Sequence, residues 1–174
     1  MKQLGILLAI LVGVIFLAYW SSKPGNLESL FMRAGVPIAN QQTSPTPQEK
    51  IITVGSSAFK VEIANTEQSR RLGLSEHTNL PEDTGMLFVL EKQDEQPSLW
   101  MKGMKFPVDI IWINDRVVSE ITPNVPIVPT GLTDAQTPKY APRTKVDYVL
   151  EIAGGVAAKR GIKVGDTIVL PPLK

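Results

Sequence analysis

The chain has 174 residues and carries 18 Lys and Arg against 17 Asp and Glu, a formal net charge of +1. A near-zero net charge gives no global field to draw in nucleic acid or an acidic partner. Cys is absent and His77 is the only histidine. That excludes disulfides, thiolate nucleophiles, iron–sulfur clusters and any metal site needing cysteine or two imidazoles. No metal or cofactor is expected.

Leu4 to Trp20 form an unbroken apolar run preceded only by Met1, Lys2 and Gln3. At about 1.5 Å per residue it reaches ~26 Å, just enough for a hydrocarbon core with little tilt. A cleaved signal peptide would place small residues at its end. This run closes on Tyr19 and Trp20, which suit an interfacial aromatic belt instead. The sequence therefore favours residues 1–20 as an uncleaved N-terminal transmembrane anchor. Lys2 stands on one side of it, Lys23 and Arg33 on the other, so the charge rule nearly balances. The short N-terminal tail favours a cytoplasmic amino terminus and an extracytoplasmic domain.

Residues 21–49 read as a juxtamembrane segment and linker. Asn26 is placed to cap a turn with Leu27, Leu30, Phe31 and Ala34 at helical spacing. A surface-lying helix and an unstructured tether both fit. Ala39 to Lys50, with Pro45 and Pro47, has the composition of a flexible spacer.

Residues 50–174 read as one globular, mainly β domain. Gly55-Ser56-Ser57 separates two strand-like stretches, a hairpin signal. Asn65 with Gln68 resembles a capping box and Gly73 a stop, which predicts a helix over Thr66–Leu72. Gly85–Leu90 is a compact apolar run, a buried-strand signal, followed by a charged loop at Glu91–Ser98. Strand patterns resume at Leu99–Met101 and Pro107–Ile113. Asn114-Asp115 suits a two-residue hairpin turn into Arg116–Ile121. Thr122–Arg143 is a long proline-rich loop, of a length usual for functional or disordered segments. Val146–Ile152, a helical turn within Gly154–Gly161 and a last strand Thr167–Leu170 complete the pattern. The expected fold is α+β, mainly β: a compact antiparallel barrel or sandwich with one or two short helices, preceded by the transmembrane helix.

Arg71-Leu72-Gly73-Leu74, Gly85-Met86-Leu87-Phe88, Trp100-Met101-Lys102, Pro107-Val108-Asp109-Ile110, Val149-Leu150-Glu151 and Gly165-Asp166 follow one another in that order. Residues 51–170 thereby resemble the domain-of-unknown-function-192 family of bacteria and archaea. The resemblance implies a compact β domain, often behind a signal peptide or anchor, and no established activity. Ser75 and His77 stand where the family pattern favours methionine and arginine.

Two carboxylates carry the chemical interest. Period two puts Asp109 on one face with Ile111 and Ile113, while Val108, Ile110 and Trp112 make the other. With both faces apolar the strand is buried, so Asp109 needs a partner; Lys102 and Arg71 are the candidates. It is either a structural ion pair or a site residue. Glu151 shares parity with Asp147 and Val149, away from the Tyr148, Leu150 and Ile152 face, so it points to solvent or a cleft. Were the two carboxylates adjacent, they could divide acid and base roles.

Trp100 to Met104 is a possible ligand platform, Trp100 stacking on a ring and Lys102 gripping an anion; the alternative is core packing. His77 reads as an exposed loop residue. Neither a phosphate loop nor a nucleophile elbow is present. The expected function is a membrane-tethered, non-catalytic binding module for an envelope glycan, peptide or partner protein. Its candidate ligand-binding residues are Arg71, Trp100, Lys102, Asp109 and Glu151. The alternatives are a carboxylate-based hydrolase using Asp109 and Glu151, and a structural accessory of an envelope complex.

Overall fold

The computed structural model describes residues 49–91 and 96–173. The expected anchor and the tether up to residue 48 lie outside the described residues, and so does part of the charged loop. Among the described residues no helix is long and apolar enough to cross a membrane.

The described elements are β1 (Glu49–Val54), β2 (Ser57–Ala64), α1 (Glu67–Leu72), β3 (Thr84–Val89), β4 (Leu99–Trp100), β5 (Val108–Asn114), β6 (Val117–Val125), β7 (Lys139–Tyr140), β8 (Tyr148–Ala153), α2 (Val156–Lys159) and β9 (Ile168–Val169). The main sheet runs β6-β5-β8-β3-β2-β1-β9, and β4 pairs with β7 in a separate ribbon. The sheet curls into a half-barrel whose two ends meet near one turn. There Val117 bridges Thr167, the Val118 amide donates to Asp166 O at 2.9 Å and the Ile168 amide to Arg116 O at 2.8 Å.

The sheet is mixed, which corrects the all-antiparallel expectation: β2 and β3 are parallel, with Val61 opposite Gly85. The reason is the connection. A parallel neighbour needs a crossover of a dozen or more residues, and the chain between β2 and β3 supplies one that includes α1. Two further shifts are local. The helix begins after Thr66, which forms a capping box with Ser69, so Asn65 and Gln68 are not the pair. The β5–β6 turn is Asp115-Arg116, both at positive φ (47° and 60°), as a type I′ turn requires. The Asp115 amide donates to the Asp147 carboxylate at 2.9 Å, which holds that backbone in place.

Both faces of the sheet carry apolar layers. Ile111, Ile113, Leu150 and Ile152 pack with Phe59, Val61 and Leu87 on one side. Val108, Ile110, Trp112 and Val149 pack with Met86, Phe88 and Met101 on the other. Trp112 is fully buried, and its indole N–H donates to Thr122 Oγ1 at 2.9 Å, which meets the one polar need of that side chain. Gly85 is set by close approach: a Cβ there would lie 2.5 Å from the Glu151 carbonyl oxygen.

Asp109 is fully buried, and neither Lys102 nor Arg71 is its partner. Its Oδ1 accepts from the Asn124 amide at 2.7 Å and the Gly155 amide at 2.9 Å, and its Oδ2 from the Ala157 amide at 2.7 Å. Asn124 and Gly155 both stand at positive φ (48° and 85°). One carboxylate thus fixes the end of β6, the start of α2 and the head of β5. Removing it leaves three amides without their acceptor, so Asp109→Ala should cost about 3–5 kcal/mol. Thermal melting of the purified chain should show a midpoint about ten degrees or more lower; an unchanged midpoint would refute this role.

Candidate functional site

On the Val149 face of the sheet, α1, β3, β8 and the stretch from Pro97 to Met104 enclose a cavity of about 260 Å³. The helix brings Arg70 and Arg71, placed in its last turn. The turn after it brings Leu74 and Ser75, β3 brings Phe88, and β8 brings Val149 and Glu151. Leu99, Trp100, Lys102 and Met104 come from the opposite wall. That wall is held by the β4–β7 ribbon, where Leu99 pairs with Tyr140 and Trp100 with Lys139. It is held again by an ion pair between Lys102 and Asp134. The tryptophan segment and the proline-rich loop are therefore joined, and the segment forms one side of the cavity.

Of the residues singled out from sequence, Arg71, Trp100, Lys102 and Glu151 line this cavity together. Asp109 does not. It pairs with Ile152, while Glu151 pairs with Ile110, so the two carboxylates project from opposite faces of the sheet.

Glu151 is the unusual member. It is only 5% exposed, and its register neighbours Met86 and Ile110 are apolar. Among the described residues no hydrogen bond or ion pair reaches its carboxyl group. The expectation that it points away from an apolar face was half right: it faces a cleft, but that face is buried too. Burial pushes its pKa from the ordinary 4.5 up to about 7, because removing water penalises the charged form.

The cations of the cavity are differently committed. Arg70 donates to Val89 O at 3.1 Å and also pairs with Glu91. Lys102 pairs with Asp134 and lies 5.6 Å from the centre of the Trp100 ring. Those contacts hold the Asp134 carboxyl below its usual range, chiefly through the Lys102 hydrogen bond. Arg71 is exposed, and no described hydrogen bond or ion pair engages it.

Arg70 and Phe88 were not among the site residues chosen from sequence, whereas Met104 ends the Trp100–Met104 platform that was. Phe88 lies in the apolar Gly85–Leu90 run and Arg70 beside Arg71, but neither carries a local signal separating lining from core. His77 is half-buried, not a free loop residue: its Nε2 lies 2.8 Å from Glu62 Oε1, while its buried Nδ1 has no described partner. It belongs to a smaller cleft with Glu49, Lys60 and Glu62.

A mixed, curled β domain with two short helices and a cavity walled by the Trp-Met-Lys segment defines a class. Residues 50–170 match the model of DUF192, described as an uncharacterized ACR. The chain belongs to that family. It is similar to a protein of unknown function from Novosphingobium aromaticivorans DSM 12444, at 30% identity and a TM-score of 0.64, over 74% of this chain and 89% of that one. It also resembles a protein from Sinorhizobium meliloti 1021 described as a candidate transcription regulator, at 24% identity and a TM-score of 0.62, over 71% of this chain and 95% of that one. The second likeness speaks to fold alone. A comparison with curated proteins finds no match.

The raised pKa of Glu151 has a stability consequence of definite sign. Between about 4.5 and 7 the folded chain holds a proton there that the unfolded chain has lost, so stability falls as pH rises through that window. The full shift corresponds to about 3 kcal/mol. Arg70, Arg71 and Lys102 are the other charged groups that line the cavity. Glu151→Gln should therefore flatten the decline, measured as urea stability at pH 5 and pH 8. Equal pH slopes for both proteins would show that the carboxyl is not desolvated.

Proposed function

We propose that the chain is a membrane-tethered, extracytoplasmic binding module that takes an envelope ligand in this cavity without catalysis. The observation that carries the reading is the cavity itself. It joins a stacking ring (Trp100), cationic groups (Arg71, Lys102) and a buried carboxyl group without a described partner (Glu151) around one space. Ligand sites combine apolar walls with a few polar groups in this way. The tether rests on the apolar run from Leu4 to Trp20 and the polar spacer behind it. A hydrolase built on Asp109 and Glu151 draws no support from the geometry, since the two lie on opposite faces and Asp109 is occupied by backbone amides.

The test is titration of the full chain in detergent with neutral glycans and short peptides. Saturable binding weakened about tenfold or more by Trp100→Ala, with the far-UV spectrum unchanged, is the expected result. Binding indifferent to Trp100 would move the site elsewhere. A partner that co-purifies while no small ligand binds would favour the structural-accessory alternative. For the tether, the full chain should stay with the membrane after carbonate extraction, and its release would refute the anchor.

A further inference from the structure

We propose that the mouth of the cavity recognises an acidic residue of a peptide, and that Asp134 holds that place in the unbound chain as an intramolecular competitor. The proposal rests on the binding reading above and names the ligand class for that site.

The loop between β6 and β7 brings its own carboxylate to the cavity wall. Asp134 pairs with Lys102, a residue that lines the cavity. Arg71, which also lines it, and Lys139 bring their positive charge to bear on the same carboxylate. Lys139 stands opposite Trp100 in the β4–β7 ribbon. Among the described residues neither Arg71 nor Lys139 has an ion pair of its own. Three cations are therefore set around one anionic group, which balances only one of them.

The pair is built to exchange. The side chains of Lys102 and Asp134 are 50% and 63% exposed. An ion pair in that setting adds little to stability, because water and salt screen it. A second carboxylate can take the place of Asp134 at small cost, while the cations stay where they are.

The present occupant is itself part of a peptide. Asp134 is carried by a turn in which the Gln136 and Thr137 amides donate to Thr133 O at 3.0 and 3.1 Å. The wall thus accepts an acidic side chain on a short stretch of backbone, and a peptide from outside offers the same group. Beside the cations the walls are apolar, including Leu74, Phe88, Leu90 and Trp100, and suit the side chain next to the acidic one. A volume of about 260 Å³ lies just under the roughly 300–1,000 Å³ of sites for drug-sized ligands, which favours a short segment over a long polymer. A neutral sugar would bring the cations no partner, and a cationic ligand would be repelled by them.

The experiment is calorimetric titration of the full chain in a neutral detergent at low salt. The probes are acetyl-leucyl-aspartyl-leucinamide, its asparaginyl counterpart and succinate. The aspartyl peptide is expected to bind saturably, about fivefold or more tighter than the asparaginyl one. Asp134→Asn should tighten the aspartyl peptide about two- to fivefold and leave the asparaginyl peptide unchanged, because it frees the sites that Asp134 holds closed. In Lys102→Met the aspartyl preference should shrink, and Asp134→Asn should then add little. The ratio between the two peptides separates contact with the acidic group from a general loss of fold.

Equal affinity for the two peptides overturns the acidic preference and leaves the cavity a binding site. A gain from Asp134→Asn that persists undiminished beside Lys102→Met shows general repulsion and overturns the competition. Succinate that binds as tightly as the aspartyl peptide overturns the peptide in favour of a small carboxylate. A folded chain that binds none of these probes, nor any of the glycans and peptides above, overturns both readings.

Discussion

The carboxylate of Asp109 is the constraint on which the rest of the domain depends. Three backbone amides from two distant parts of the chain converge on it, and two of them belong to residues held at positive φ. Backbone groups that turn away from a sheet inside a protein must find an acceptor or lose about 1–3 kcal/mol each. A single side chain at the head of β5 meets that need at both places. The end of β6 and the start of α2 are thereby set against the same strand. Beyond Asp109, the buried residues of β5 can then be apolar on both faces, because the polar requirement of this strand is concentrated at one point.

The cavity on the other face follows a different rule. Asp109 is buried with its hydrogen bonds made, whereas Glu151 is buried without them, two strand positions of similar burial and opposite satisfaction. Stability alone would favour an apolar side chain at position 151, flanked as it is by Met86 and Ile110. Lys102 adds a mechanical link: by reaching Asp134 it ties the wall of the cavity to the loop beyond β6. Movement of that loop is therefore movement of the wall.

Much of this was legible in the residues, and the failures are physical. Period two separated Asp109 from the Ile110 and Trp112 face, and it put Glu151 with Val149, facing solvent or a cleft. The run from Trp100 to Met104 drew attention through its mixture of ring, cation and glycine, and it does form a wall. The partner of Asp109 was misread because side-chain chemistry suggests other side chains, while main-chain amides leave no mark in the composition. The parallel pairing of β2 and β3 was missed because a six-residue helix between two strands reads as an ornament on a meander. The turns slipped by one residue, since Asn114, Asp115 and Arg116 differ too little in turn preference to fix a register without the contact from Asp147. The cavity as a whole was beyond the sequence, as α1, β3 and β8 meet only through long-range pairing.

The strand order has a consequence for how the chain is made. β8 lies between β3 and β5 but is encoded after both of them. Until Tyr148–Ala153 leaves the ribosome, β3 with its Met-Leu-Phe-Val run and β5 with its Val, Ile and Trp residues each present an unpaired apolar edge, the kind of surface that recruits other strands. Synthesis therefore passes through an interval in which most of the domain exists and its middle does not. A chain cut short before residue 148 would retain that exposure permanently, which makes the late segment the natural point for a chaperone to release its hold.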